Sequence, residues 1–339
     1  MILSAGGTGG HLFPAKAVAD QLADECEILF VAGGLSSSPY FDRSFPYQEI
    51  EVATFSFSKP LQVLRGGIKV VKGIAQSRRI LESFAPDLVI GFGSFYTLPM
   101  LVAAKLEKIP FLLHEQNVLP GRVNRLFSRF AVKTAITFPS SKHYLKGESV
   151  VVNFPLRKSQ GGSAWEYYNL EKKPTLLLFG GSQGARALNQ QMILCASSFV
   201  DYQIIHFTGK HEDEKMVKNA YDKVGIVSCV KRFEERFDLA LEIADLAICR
   251  AGASTIMELI KYDLPAILIP FPNASDNHQV NNATYFTDVV GGGVMLLEKD
   301  INKLPTLLSI DLEMCRKNIA RHRESQDLID FAQLIRNEK

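Results

Sequence analysis

Two glycine clusters mark places where a ligand could meet bare backbone: Gly6-Gly7-Thr8-Gly9-Gly10 and Gly180-Gly181-Ser182-Gln183-Gly184. Each follows a short apolar run, Ile2–Ala5 in the first case and Thr175–Phe179 in the second, and each leads into a helical pattern. A glycine-rich turn between strand and helix lets an anion approach the N–H groups of the helix start. The helix dipole there favours negative charge, phosphate above all. Tight turns also use glycine for purely structural reasons. Two clusters of one form at equivalent places favour a phosphate-bearing ligand held between two halves.

The common nucleotide fingerprints are absent. Neither cluster ends in Gly-Lys-Ser/Thr, which excludes the Walker phosphate loop. Neither gives G-x-G-x-x-G, because the third glycine would fall on Leu12. The second strand ends Phe30-Val31-Ala32-Gly33-Gly34, without the acid that holds an NAD ribose. Gly180-Gly181-Ser182-Gln183-Gly184 also fits a nucleophile elbow. An α/β hydrolase therefore stays open, with Ser182 as nucleophile, Asp245 or Asp263 as acid and His278 as base. Against it, the first cluster has no serine. The seven histidines show no ligand spacing and no two aspartates are separated by one residue. No bound metal or other cofactor is expected, and a diphosphate would be met by helix N-termini and by Arg157 or Arg250. The five cysteines are scattered without a C-x-x-C, as befits free thiols in a reducing compartment.

The elements that must position these groups alternate between strand and helix. Asp87-Leu88-Val89-Ile90-Gly91 is echoed by Asp245-Leu246-Ala247-Ile248-Cys249, and Ile109-Pro110-Phe111 by Leu264-Pro265-Ala266. With the glycine clusters, these echoes lie 174, 158 and 155 residues apart, always in the same order. The reading is α/β: two halves, each a parallel sheet covered by helices on both faces. The expected domains are 1–156, 157–321 and a closing helical segment, 322–339, packing back on the first domain.

With 339 residues, 47% hydrophobic and 22% charged, the chain can bury a core in each half. No apolar run approaches the ~18 to 20 residues of a membrane span, and no secretory leader is expected. The net charge of +2 conceals a split of +6 over residues 1–158 and −4 over the rest. Residues 52–81 carry six bases and no acid, among them Lys69, Lys72, Arg78 and Arg79. Residues 116–147 also lack acids, and place Arg122, Arg125, Arg129 and Lys133 beside Leu126, Phe127 and Phe130. Basic, partly apolar surfaces of this kind suit anionic lipid headgroups. With no recognised binding module, nucleic acid is not expected as a partner.

Several motifs together resemble the MurG family of peptidoglycan N-acetylglucosaminyltransferases. They are Gly6-Gly7-Thr8-Gly9-Gly10-His11, His114-Glu115-Gln116-Asn117, Gly180-Gly181-Ser182-Gln183-Gly184-Ala185 and Arg250-Ala251-Gly252-Ala253, followed by Glu258 and by His278-Gln279-Val280-Asn281-Asn282-Ala283. The resemblance runs from about residue 2 to 285 and implies a GT-B fold, two Rossmann-like doubly wound domains facing a cleft. It implies inverting transfer of GlcNAc from UDP-GlcNAc to the C4 hydroxyl of lipid-linked MurNAc-pentapeptide, at the cytoplasmic face of the membrane. Carried over by position, Thr8, Gly9 and Gly10 belong to a diphosphate site and Asn117 contacts the donor. Arg157, Ser182 and Ala253, Ser254, Thr255, Ile256, Met257 and Glu258 form the UDP set. There Glu258 accepts from the ribose hydroxyls, and Gln279 reads the sugar.

His11 is the candidate general base, since imidazole titrates near neutral pH. It could instead cap the helix or contact phosphate, and His114, Glu115 and Asp276 are alternative bases. The chain departs from the family at Asn153-Phe154-Pro155-Leu156-Arg157, at Gly93-Ser94-Phe95-Tyr96 and at Phe233-Glu234, where Phe-Ile-Asp-Asp is usual. An inactive nucleotide-sugar or lipid-binding protein is the remaining alternative.

Overall fold

The computed structural model describes residues 1–53, 60–156, 161–181, 184–209 and 213–338. The chain divides into two compact units, Met1–Arg157 with Asp327–Lys339, and Lys158–Gln326.

The first unit is built on seven strands: β1 (Ile2–Ser4), β2 (Leu29–Ala32), β3 (Tyr47–Glu49), β4 (Val89–Gly91), β5 (Phe111–Glu115), β6 (Thr134–Ile136) and β7 (Ser149–Val151). They pair in parallel in the order β3-β2-β1-β4-β5-β6-β7. The central strands read as unbroken apolar runs because helices cover both faces. On one face Leu3, Phe30, Ile90 and Leu112 pack against helix α1 (Gly9–Leu22). On the other, Ile2, Val31, Val89 and Leu113 meet α2 (Pro60–Phe84), α3 (Leu98–Leu106) and α4 (Arg122–Phe127). The helix α2 is long although Gly66, Gly67 and Gly73 lie within it. Gly73 has a packing reason: a Cβ there would sit 2.0 Å from the Glu51 carbonyl oxygen and 3.1 Å from Pro99.

The second unit has six parallel strands: β8 (Thr175–Phe179), β9 (Gln203–Phe207), β10 (Ser228–Lys231), β11 (Leu246–Cys249), β12 (Ala266–Leu268) and β13 (Gly293–Met295). Their order is β10-β9-β8-β11-β12-β13. Around them stand α5 (Ala164–Tyr168), α6 (Arg186–Leu194), α7 (Glu214–Lys223), α8 (Phe237–Ile243), α9 (Ala253–Lys261), α10 (His278–Thr284) and α11 (Leu312–Glu324). Each unit thus places its first strand beside its second and fourth, the doubly wound arrangement whose ligands lie at the carboxyl ends of the strands. The sequence echoes fall on β1 and β8, β4 and β11, and β5 and β12, the same three places in each sheet. The fold is the expected one, two Rossmann-like α/β units of the GT-B class.

The last helix, α12 (Phe331–Asn337), belongs to the first unit. Its Phe331, Leu334 and Ile335 complete the core beside α1. Ile329 bridges Val152, and the Asn153 carboxamide accepts from Phe331 N (3.1 Å) and donates to Asp330 (3.2 Å). Arg336 grips Glu25 through two hydrogen bonds, of 2.7 and 2.8 Å. Among the described residues no helix is long and apolar enough to cross a membrane.

Candidate active site

In the first unit, β1 ends in the glycine turn and α1 starts at Gly9. Gly7 has φ +91°, and a Cβ on Gly6 or Gly7 would lie 3.0 to 3.2 Å from the Tyr96 side chain. The ring of Tyr96, in the departing segment Gly93-Ser94-Phe95-Tyr96, therefore lies against the glycine backbone. Thr8 precedes the helix but its hydroxyl does not cap it, and Thr8 and Gly10 are exposed while Gly9 is buried. The start of α1 thus keeps the donor character of a helix N-terminus.

Half-buried His11 sits in the first turn of α1, and its Nδ1 lies 3.3 Å from Oε1 of Gln116. Gln116 follows β5 and is only 2% exposed. Its amide nitrogen donates to the Phe92 carbonyl (3.0 Å) and to Nδ1 of His114 (2.9 Å). His114 is fully buried among the rings of Phe92, Phe154 and Phe331. Burial, helped by the nearby charge of His11, pushes its pKa down to about 3. It stays neutral and sealed from solvent, which removes it as a base. The departure at Phe154 supplies one wall of this cage.

Glu115 is equally unsuited to proton transfer from a substrate. One oxygen accepts from Asn117 N (2.9 Å) and the other from Gly121 N (2.9 Å) and Asn124 Nδ2 (2.8 Å). Burial raises its pKa, while these amide contacts act in the opposite direction. Its role is to shape the turn that presents half-buried Asn117, whose carbonyl also accepts from the Ser141 hydroxyl (2.9 Å). His11, the glycine turn and Asn117 are thereby brought to the carboxyl ends of β1 and β5.

In the second unit, Gly180 cannot be replaced in this turn, because a Cβ would stand 2.2 Å from Ala185 N. Gly181 and Gly184 have φ +75° and +76°, and Gly184 N donates to the Gly181 carbonyl (2.9 Å). Ser182 and Arg157 lie outside the described residues. After β11, Gly252 precedes α9 with no side chain to cap it. On α9, Ser254, Met257 and Glu258 are half-exposed. Ala253, Thr255 and Ile256 are buried, Ile256 fully enclosed.

The helix α10 abuts this start. Asn282, fully buried, donates to the Ala251 carbonyl (3.1 Å), and Gln279 accepts from Phe271 N (2.9 Å). Asp276 and Asn277, just before α10, both have left-handed backbones, with φ +51° and +54°.

Arg250 does not offer its charge to a phosphate. Its guanidinium donates to the Ile269 (3.1 Å) and Pro270 (3.2 Å) carbonyls and pairs with Glu298. Glu234 is buried where the family pattern has an apolar residue. It is held by Lys231 (2.7 Å), Tyr167 (2.9 Å) and Arg236 N (2.9 Å), whose combined pull outweighs burial and lowers its pKa. Among the described residues no three His, Cys, Asp or Glu side chains are grouped to hold a metal ion.

The hydrolase constellation is not assembled. Asp245 precedes β11, binding Thr175 N (2.9 Å) and Arg316 (2.7 Å), at the amino end of a strand parallel to β8. Asp263 lies before β12 and pairs with Arg323 (2.9 Å). Both acids are at the end of the sheet opposite the Gly180–Gly184 turn. Gln116 and Asn282 had no assigned role in the sequence reading, although both fall inside the motifs; only the contacts across strands reveal what they hold.

The chain matches the glycosyltransferase family 28 N-terminal domain over residues 1–136 and the family 28 C-terminal domain over residues 175–335. A UDP-N-acetylglucosamine–N-acetylmuramyl-(pentapeptide) pyrophosphoryl-undecaprenol N-acetylglucosamine transferase of Protochlamydia amoebophila is 42% identical over 324 residues, 92% of this chain and 86% of that protein. Its namesake from Chlamydia pneumoniae is 35% identical over 329 residues, 95% of this chain and 92% of that protein. The crystal structure of Acinetobacter baumannii MurG superposes with a TM-score of 0.78 at 27% identity, covering 99% of this chain and 97% of that one. The chain belongs to glycosyltransferase family 28 and, within it, to the MurG family.

Proposed function

We propose that this protein transfers GlcNAc from UDP-GlcNAc to the C4 hydroxyl of undecaprenyl-pyrophosphoryl-MurNAc-pentapeptide, converting lipid I to lipid II with inversion. The observation that carries the mechanism is His11 in the first turn of α1, beside the glycine turn and bonded through Nδ1 to Gln116. Nε2 of His11 takes the proton of the acceptor hydroxyl as that oxygen bonds to C1 of the sugar. The C1–O bond to the diphosphate breaks, and UDP departs with the electron pair. The helix start at Ala253–Ser254, with Ser182 and Arg157, meets the UDP diphosphate without a metal, and the helix start at Thr8–Gly10 meets a diphosphate of donor or acceptor. Glu258 accepts from the ribose hydroxyls, Thr255, Ile256 and Met257 line the nucleoside through backbone or edge, and Asn117 and Gln279 hold the sugar.

The acceptor is membrane-bound, and the first unit carries the surface suited to reach it. On α2, Arg65, Ile68, Lys69, Val71 and Lys72 are exposed side by side. Leu126, Arg129, Phe130 and Val132 form a second exposed group, with Lys105 Nζ 3.3 Å above the Phe130 ring. This pairing of bases with apolar side chains supports attachment to the anionic cytoplasmic leaflet.

Release of UDP from UDP-GlcNAc by the pure protein, with and without a lipid-linked MurNAc-pentapeptide, tests the reading. Release that depends on the acceptor supports it. No acceptor-dependent release overturns it.

A further inference from the structure

The side chain of Gln116 has no freedom to turn over. The Phe92 carbonyl can only accept, so the amide NH₂ must face it, at 3.0 Å. The second N–H then points at Nδ1 of His114, 2.9 Å away. This leaves Oε1, which can only accept, opposite Nδ1 of His11 at 3.3 Å. A neutral imidazole carries one proton, and an acceptor facing Nδ1 draws it there. His114 completes the lock from behind: with its Nδ1 receiving the Gln116 N–H, its own proton stands on Nε2. That atom is buried and has no hydrogen-bond partner, so the ring has nothing else to turn toward.

We propose that Gln116 is the positioning residue that sets the ring tautomer of His11, holding Nδ1 protonated so that the lone pair stands on Nε2. The role of that lone pair in glycosyl transfer rests on the function proposed above; the tautomer itself does not. Gln116 acts through His11 alone, the part a buried carboxylate plays toward histidine in serine hydrolases, performed here by a neutral amide. An amide cannot take the proton onward, so a proton gained at Nε2 remains on His11 until it leaves to solvent or product.

The test reads the tautomer directly. Two-bond ¹H–¹⁵N correlation spectra of histidine-labelled protein at a pH where His11 is neutral, with its signals assigned through His11→Gln, distinguish Nδ1–H from Nε2–H. Wild type is expected to show His11 as Nδ1–H, and Gln116→Met, of similar length but without an acceptor oxygen, is expected to lose that preference. Gln116→Glu, which restores an oxygen opposite Nδ1, is expected to regain it. In turnover assays Gln116→Met lowers kcat about tenfold or more with the Kd for UDP unchanged. His11 found as Nε2–H in wild type, or a tautomer unmoved in folded Gln116→Met, overturns the proposal, and the wild-type spectrum decides even if the variant does not fold. Should acceptor-dependent turnover be absent while the tautomer shifts as expected, the function fails and the role of Gln116 stands.

Discussion

The imidazole of His114 stacks on the ring of Phe331, centroids 4.8 Å apart and planes within 26°. The two residues lie on β5 and on the final helix, so the closing segment of the chain forms the lid over the histidine cage. Phe331→Ala is expected to destabilise the first unit by about 3–5 kcal/mol, the usual cost of emptying a fully buried aromatic site. Urea unfolding followed by first-unit amide signals measures it. A loss under about 1 kcal/mol would mean that the stack is incidental.

Acid should weaken both units through buried histidines. His114 in the first unit and His206 in the second are held near pKa 3, chiefly by burial, against an ordinary value of 6.5. The unfolded chain therefore binds more protons as pH falls below about 6.5, and stability present above that value drains away toward pH 3. Each ring contributes a slope of about 1.4 kcal/mol per pH unit in that window. Unfolding free energies at about pH 7 and about pH 5 should differ accordingly, and a flat profile would contradict the burial of neutral rings.

Removing the base should leave binding and abolish turnover. His11→Ala is expected to lower kcat by roughly 10² or more while UDP affinity stays within about twofold. Steady-state kinetics with a soluble lipid I analogue provide the check. Undiminished kcat would return His11 to a purely structural place at the helix start.

Glu298→Ala strands the Arg250 guanidinium, which is almost fully enclosed. The carbonyls of Ile269 and Pro270 still accept from it, so the expected cost is about 1.5–3 kcal/mol, the range for a hydrogen bond to a charged group. Arg250→Met, which removes the charge as well, should be tolerated better than Glu298→Ala. Thermal denaturation of the two variants side by side ranks them.

Vesicle binding should depend on α2 unevenly. Arg78 is paired with Glu107 (2.5 Å), and Lys69 approaches Glu51 at 3.9 Å. Neutralising Lys72 and Arg79 should therefore weaken pelleting with anionic vesicles more than neutralising Arg78 does, at about 1 kcal/mol per base. Equal effects from all three, or none, would place the contact elsewhere on the unit.

Much of this was legible in the residues. Glycine clusters after apolar runs located β1 and β8, and the repeated Asp-Leu-x-Ile pattern located β4 and β11, because a strand buried on both faces needs a continuous apolar run. The identity of His11 as a candidate was readable for the same reason: it follows the turn directly. Gln116 was not, since its function lies in contacts with His11, 105 residues away, and with Phe92, 24 residues away. Nor could the resemblance, which carries residues 253–258 over as one set, separate buried Ile256 from half-exposed Glu258; which side of α9 faces the sheet is decided by packing. Arg250 misled in an instructive way, because a cation beside a glycine turn reads as a phosphate ligand until a carboxylate 48 residues later claims it.

The return of α12 to the first unit has a consequence for biosynthesis. The ribosome makes the strands of that unit first, then the whole second unit, and only then Phe331, Leu334 and Ile335. During most of translation the nascent first unit carries an open apolar trough beside α1 and an uncovered His114. Premature stops between Gln326 and Phe331 would release chains whose second unit is finished and whose first is not, a class of product that chaperones and proteases would recognise by its exposed core.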